Sequence, residues 1–164
     1  LSWYYILRTD KQIAGKWLMF EIENFLHKNI CNYLIDFYKY NTKLSEAFEK
    51  RRRIDLLKIN DDLNITSIVN LYKRIKPLDS LINIELVYWP IGEKHDWHDD
   101  TVYYDYTSIT YLNENYIGGR TELENYSIVP KIGKIVLFES KKLHRVTCLE
   151  KNDRYVIAAW YKYG

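Results

Sequence analysis

The sequence predicts an α+β fold, with helices toward the front of the chain and a β-barrel or jelly roll behind them. Three observations predict it. Apolar residues recur at helical spacing in the first half of the chain. Short alternating or continuous apolar runs fill the second half, and Gly118, Gly119 and Pro130 punctuate its loops. Helices segregated before many short strands fit an α+β layer arrangement.

Ile30, Leu34, Phe37 and Tyr38 recur at i, i+4, i+7 and i+8, which predicts an amphipathic helix over 27–40. Ile65, Ile68, Val69 and Tyr72 repeat that spacing in a second helix, which Pro77 stops. Between them lies Lys50-Arg51-Arg52-Arg53. It reads either as a phosphate- or nucleic-acid-binding patch or as a solvated helix end, where cations meet the negative end of the dipole. The run is short and isolated, which favours the helix end. From Ile82 the period changes to two: Ile82, Ile84, Leu86 and Tyr88 alternate with Asn83, Glu85, Val87 and Trp89. Thr107, Ile109 and Tyr111 share one strand face. Residues 134–140 form a nearly continuous apolar strand introduced by Gly133, and Arg154, Val156, Ala158 and Trp160 share one face of the last strand.

The 164 residues suit one domain, 1–164, with 1–18 as an N-terminal extension and 98–160 carrying the chemistry. The 24 Lys+Arg and 22 Asp+Glu leave a net charge of +2. Up to residue 80 there are 14 basic and 10 acidic side chains, and beyond it 10 and 12, so neither part has the field of a dedicated nucleic-acid binder. A hydrophobic content of 47% with 28% charged residues excludes a disordered chain. Cys31 and Cys148 are too few for a disulfide scaffold or a cysteine-built zinc site and suit a reducing compartment. No stretch reaches the length of a membrane span, and the first seven residues lack the basic region of a signal peptide, so a cytoplasmic location is expected. The abundance of Tyr, Lys, Asn and Ile points to an AT-rich genome, microbial or viral.

His98-Asp99-Asp100 is a His-x-Asp sequence. On a strand, residues i and i+2 point to the same face, so His98 and Asp100 reach one metal ion together. His144, just after the apolar strand, is the best third ligand. His95 is the alternative, but its i+2 partner is Trp97, which binds no metal. Two histidines and a carboxylate on one side of a metal form the facial triad of non-haem Fe(II) oxygenases, with the other side open. Arg154, facing a barrel interior, is a costly buried charge unless paired. A dicarboxylate pairs it bidentately, Tyr111 adds a hydroxyl donor, and Tyr88 lines the same pocket.

With these residues in this order, the sequence resembles the 2-oxoglutarate- and Fe(II)-dependent oxygenases, specifically the prolyl 4-hydroxylase-like branch. The resemblance runs from about Phe20 to Tyr161 and opens on Glu23-Asn-Phe-Leu26. It continues through Tyr88-Trp-Pro-Ile-Gly92, His98-x-Asp100, Tyr111-Leu-Asn113 and Gly118-Gly119-x-Thr121. Pro130-x-x-Gly133, Phe138, His144, Arg154-Tyr155 and Trp160 complete it. It implies a double-stranded β-helix, a cupin-like jelly roll with supporting N-terminal helices. It implies Fe(II) on His98, Asp100 and His144, and 2-oxoglutarate held at its distal carboxylate by Arg154 and Tyr111, with Tyr88 as a pocket residue. The implied reaction consumes O2 and 2-oxoglutarate, releases succinate and CO2, and hydroxylates a C–H bond, with ascorbate as an accessory.

Two departures bear on the substrate. The segment between His98 and His144 is short, so substrate-gripping loops are trimmed, and arginine stands at 154 where many collagen-type members use lysine. Trp160 occupies the position where the nucleic-acid demethylase branch carries a second arginine. Glu93, Asp96, Asp99 and Asp105 predict an acidic rim that repels polyanions. Tyr103, Tyr104 and Tyr106 supply flat surfaces for an extended peptide. Peptidyl proline in a peptide or protein partner is therefore the expected substrate, with neither nucleic acid nor membrane as a partner. A free amino acid, a lysyl side chain or another small molecule is the alternative. A non-catalytic jelly roll with a structural His/Asp cluster is a further one.

Overall fold

The computed structural model describes residues 19–75 and 80–162, together with the backbone of 12–13 and 16–17. The expected helix stop at Pro77 and most of the expected extension 1–18 lie outside the described residues. A short antiparallel pair, β1 (Gln12–Ile13) and β2 (Lys16–Trp17), precedes β3 (Met19–Ile22). Helix α1 (Lys28–Tyr40) starts at His27, whose Nδ1 accepts the Asn29 N–H at 3.1 Å. It buries Cys31, Leu34 and Tyr38, while Ile30 of the expected stripe turns outward. Helix α2 (Leu63–Lys73) is capped by Asp62, which accepts from the Asn64 and Ile65 N–H groups. It buries Ile65, Ile68, Val69 and Tyr72, as the spacing predicts.

Between the helices the chain turns into a hairpin of β4 (Glu46–Phe48) and β5 (Arg51–Asp55), so the basic run is not a helix end. Alternation along β5 sends Ile54 to the helix-side core. Arg51 is also buried, at 6% exposure, with its guanidinium over the Phe48 and Trp89 rings.

The remaining strands are β6 (Ser80–Trp89), β7 (His95–His98), β8 (Tyr106–Tyr111), β9 (Ile117–Gly118) and β10 (Thr121–Leu123). They continue as β11 (Tyr126–Ser127), β12 (Ile135–Glu139), β13 (His144–Val146), β14 (Leu149–Lys151) and β15 (Arg154–Lys162). Seven strands make an antiparallel sheet in the order β3-β12-β8-β15-β6-β5-β4. Four make a smaller one, β11-β10-β13-β7, and β14 pairs with β9.

The larger sheet separates two cores. Ile84, Leu86, Tyr155, Ile157, Ala159 and Tyr161 pack with the helices. Val87, Trp89, Tyr111, Phe138, Val156 and Ala158 point the other way and meet Val146 and Leu149 from the facing strands. Each fully buried side chain of this kind contributes roughly 1.5–3 kcal/mol. β12 is apolar nearly throughout because it lies between β3 and β8 with both faces covered. The result is the double-stranded β-helix that the sequence resemblance implies, with the second core as its interior. Among the described residues, no helix is long and apolar enough to cross a membrane.

Candidate active site

Two adjacent strands of the smaller sheet carry the histidines: His144 opens β13 and pairs in register with His98 at the end of β7. Asp100 lies just past that strand, with its N–H donating to the Ser140 carbonyl at 2.9 Å. One ligand atom from each of His98, Asp100 and His144 lies within 4.8 Å of the others. The alternative ligand His95 is not in this group.

Backbone carbonyls orient both rings. His98 Nδ1 lies 2.7 Å from the Asp96 carbonyl oxygen, and His144 Nδ1 lies 2.8 Å from that of Lys142. A carbonyl only accepts, so each Nδ1 bears a proton, and each Nε2 lies on the side of Asp100, at 3.7 and 3.5 Å, free to offer its lone pair once the ring is neutral. Asp100 Oδ2 accepts from Thr107 Oγ1 at 2.9 Å and from Trp160 Nε1 at 3.1 Å. Burial opposes ionisation of Asp100, but the His144 contact and these donors outweigh it and hold its carboxyl at about 2. Burial also pushes the His98 imidazole down. Oriented imidazole nitrogens beside an ionised carboxylate are the donor set a divalent metal requires.

Deeper in the barrel, Arg154 pairs with Trp89 across β15 and β6. It is 1% exposed and lies 4.7 Å from the Trp89 ring centroid and 5.8 Å from that of Tyr111. Its Nη2 donates to Thr121 Oγ1 at 3.0 Å, but Nε and Nη1 have no hydrogen-bond partner among the described residues. The buried hydroxyls of Tyr111 and Tyr116 lack partners too. Burial pushes the Tyr111 phenol up, outweighing the pull of the Arg154 charge, so it stays a neutral donor. A buried guanidinium left unpaired costs several kcal/mol. Two free N–H groups flanked by two free hydroxyls complement a carboxylate.

Tyr88 does not join this pocket. Its ring stacks on Tyr38 at 5.1 Å and contacts Tyr155 at 5.4 Å in the helix-side core. Strand alternation puts residues 88 and 89 on opposite faces, and Trp89 takes the pocket position. Sequence reasoning misses Trp89, Tyr116 and Arg51. The Gly118-Gly119-x-Thr121 match held the signal for Thr121: a Cβ on Gly119 would lie 3.2 Å from Arg154 Cδ.

The expected acidic rim is also corrected. Glu93 is 5% exposed, and its Oε2 accepts the Lys50 and Arg51 N–H groups at 2.9 and 3.0 Å. Asp96 and Asp99 stay exposed, but Lys94 lies 3.3 Å from Asp96. Tyr106 packs into the helix-side core, whereas Tyr103 is exposed and Tyr104 stacks on Trp160. The rim is mixed in charge, with aromatic surface beside the His/Asp/His cluster.

Residues 85–162 match the family model of the 2OG-Fe(II) oxygenase superfamily. No curated protein matches the sequence. Among solved structures, the fold is similar to a viral collagen prolyl hydroxylase from Paramecium Bursaria Chlorella virus-1, with a TM-score of 0.67 at 16% identity, covering 93% of this chain and 100% of that one. A Pseudomonas putida prolyl-4-hydroxylase gives 0.69 at 15% identity, covering 89% and 93%. A Trichoplax adhaerens prolyl hydroxylase, in complex with a hypoxia inducible factor oxygen degradation domain peptide fragment, gives 0.70 at 17% identity, covering 88% and 83%. The oxygenase match spans His98, Asp100, His144 and Arg154, and together with the fold these hydroxylases share it supports a 2-oxoglutarate/Fe(II)-dependent dioxygenase.

Proposed function

We propose that the chain hydroxylates a C–H bond of peptidyl proline, with iron on His98, Asp100 and His144 and 2-oxoglutarate anchored by Arg154. The observation that carries this reading is Arg154, buried with two unpartnered N–H groups in the same barrel as the His/Asp/His cluster. When bound, iron together with 2-oxoglutarate and O2 supplies the C–H-oxidising chemistry, and 2-oxoglutarate leaves as succinate and CO2. The chain's own work is positional. His98 and His144 offer Nε2 because backbone carbonyls hold Nδ1. Thr107 and Trp160 fix one carboxylate oxygen of Asp100. Arg154, helped by Tyr111 and Tyr116, grips the distal carboxylate, and Trp89, Phe138 and Val156 keep water from the pocket. No side chain has to act as a general base.

Exposed Tyr103 and the Tyr104–Trp160 stack beside Asp100 support an extended peptide as substrate. The fold shared with prolyl hydroxylases, one of them peptide-bound, supports it further. Ascorbate is proposed as an accessory reductant. The test offers proline-rich peptides, free amino acids and oligonucleotides side by side, with Fe(II) and 2-oxoglutarate, and follows succinate and product mass. A gain of one oxygen on a prolyl peptide is expected, lost in His98→Ala and Asp100→Ala. Turnover coupled only to amino acids or oligonucleotides overturns the substrate, and unchanged succinate in both variants overturns the metal ligands.

A further inference from the structure

We propose that Arg51 and His95 form a brace that fixes the ring of His98, making both positioning residues of the metal centre. The inference rests on the reading of His98 as a metal ligand. The two histidines of the cluster are supported unequally. His144 is buried, and Phe138 packs against its ring at 4.9 Å. His98 lies on β7, an edge strand of the smaller sheet, with its side chain 23% exposed. The Asp96 carbonyl holds its Nδ1, but one hydrogen bond leaves the ring free to tilt about that contact. His95 supplies the missing wall: the two rings stack 3.6 Å apart with 22° between their planes.

Arg51 sets His95 in turn. Its Nη1 lies 3.1 Å from His95 Nδ1, and a guanidinium only donates, so that nitrogen accepts and the remaining ring proton sits on Nε2. This fixes both the tautomer and the plane of the stacked ring. Arg51 is itself clamped. Its Nη2 lies 2.8 Å from Glu49 and its Nε 3.5 Å from Glu93, and Glu93 also accepts the Arg51 N–H. The guanidinium lies 4.5 Å from the ring centroid of Trp89, the same ring that Arg154 contacts. The most buried member of the basic run is therefore part of the metal centre's support.

Outer partners of ligating histidines carry about 10–100-fold in metal affinity. The experiment titrates Mn(II) into the metal-free protein and records the visible spectrum of the Co(II) form, with melting temperatures as a check on folding. His95→Ala should weaken Mn(II) binding by about 10–100-fold and shift the Co(II) bands as His98 tilts. His95→Phe keeps a flat wall and should bind Mn(II) near the wild-type affinity. Arg51→Met removes the donor and should weaken binding. Wild-type affinity and spectrum in His95→Ala overturn the brace, as does His95→Phe binding as weakly as His95→Ala. Wild-type affinity in Arg51→Met overturns the part given to Arg51. A wild-type protein that takes up no Mn(II) refutes the metal site itself, a separate failure.

Discussion

Arg154 holds a full charge at 1% exposure, with one of its donors used by Thr121 and two without partners. Hydrogen bonds to charged groups contribute roughly 1.5–3 kcal/mol, so each hydroxyl that joins Arg154 around a carboxylate should be visible in binding. Tyr116→Phe is therefore expected to weaken 2-oxoglutarate binding by about 10–100-fold, measured anaerobically by calorimetry with Mn(II) in place of iron. Arg154→Lys keeps the charge but loses the planar fork, and Arg154→Ala should lose more. Tyr88→Phe is the contrast. Its ring belongs to the stack with Tyr38 and Tyr155, so 2-oxoglutarate affinity should stay at the wild-type value. Equal losses in Tyr88→Phe and Tyr116→Phe would place the pocket on the wrong face of β6.

The hairpin β4–β5 is the element least legible in the sequence. Its charges hide a strand: Arg51 and Arg53 lay flat cations over Phe48, at 4.8 and 4.9 Å, and so cover apolar surface that a pattern of polar and apolar residues does not reveal. β6 hid its facing for the opposite reason. Both its faces are buried from Glu85 to Val87, and Tyr88-Trp89 puts an aromatic on each side, so polarity does not mark the inward residue. Only its pairing with β15 does, where Arg154 sits opposite Trp89. By contrast β15 and α2 were readable, because one face of each carries a single kind of environment. His98, Asp100 and His144 were readable because their side chains have few other reasons to converge.

Turns between elements make a sharper test of how the barrel is closed. Gly133 has φ +81°, its N–H donates to the Tyr111 carbonyl at 2.8 Å, and its carbonyl accepts from Leu26 at 3.0 Å. An added Cβ would lie 2.0 Å from the Leu26 carbonyl oxygen, which is backbone and cannot swing away. Gly92 has φ +85°, yet a Cβ there meets only the Lys50 Nζ, at 3.8 Å. Gly92→Ala should therefore cost about 1 kcal/mol from φ alone, and Gly133→Ala about 2 kcal/mol more. Urea unfolding of the metal-free protein measures both. Equal costs would mean that the approach of Leu26 is not what demands glycine at 133.

The described tyrosines distribute across both cores and the surface, and that distribution sets how the protein responds to alkali. Tyr72, Tyr155 and Tyr161 lie in the helix-side core and Tyr111 lies in the barrel. Burial raises all four phenols, Tyr155 to about 12, because the phenolate loses its water there. Tyr72 Oη hydrogen-bonds with Thr110 Oγ1 at 2.5 Å, and Tyr161 Oη donates to the Tyr72 carbonyl at 3.3 Å, so Tyr161 is further committed as a neutral group. The unfolded chain releases these protons near the ordinary tyrosine value of about 10. Above that pH the unfolded state binds fewer protons than the folded one, so stability is fully present below about 10 and is lost as pH rises through the folded values. Each such phenol contributes a slope of roughly 1.4 kcal/mol per pH unit. Tyr40 and Tyr103, by contrast, are solvent-exposed, at 86% and 67%. Tyrosinate absorbance and circular dichroism, followed together on the metal-free protein, should show a first population titrating with native dichroism. A second should appear only as the dichroism collapses. If every phenol titrates while the native dichroism persists, burial is not what raises these groups, and the two cores are wetter than their packing implies.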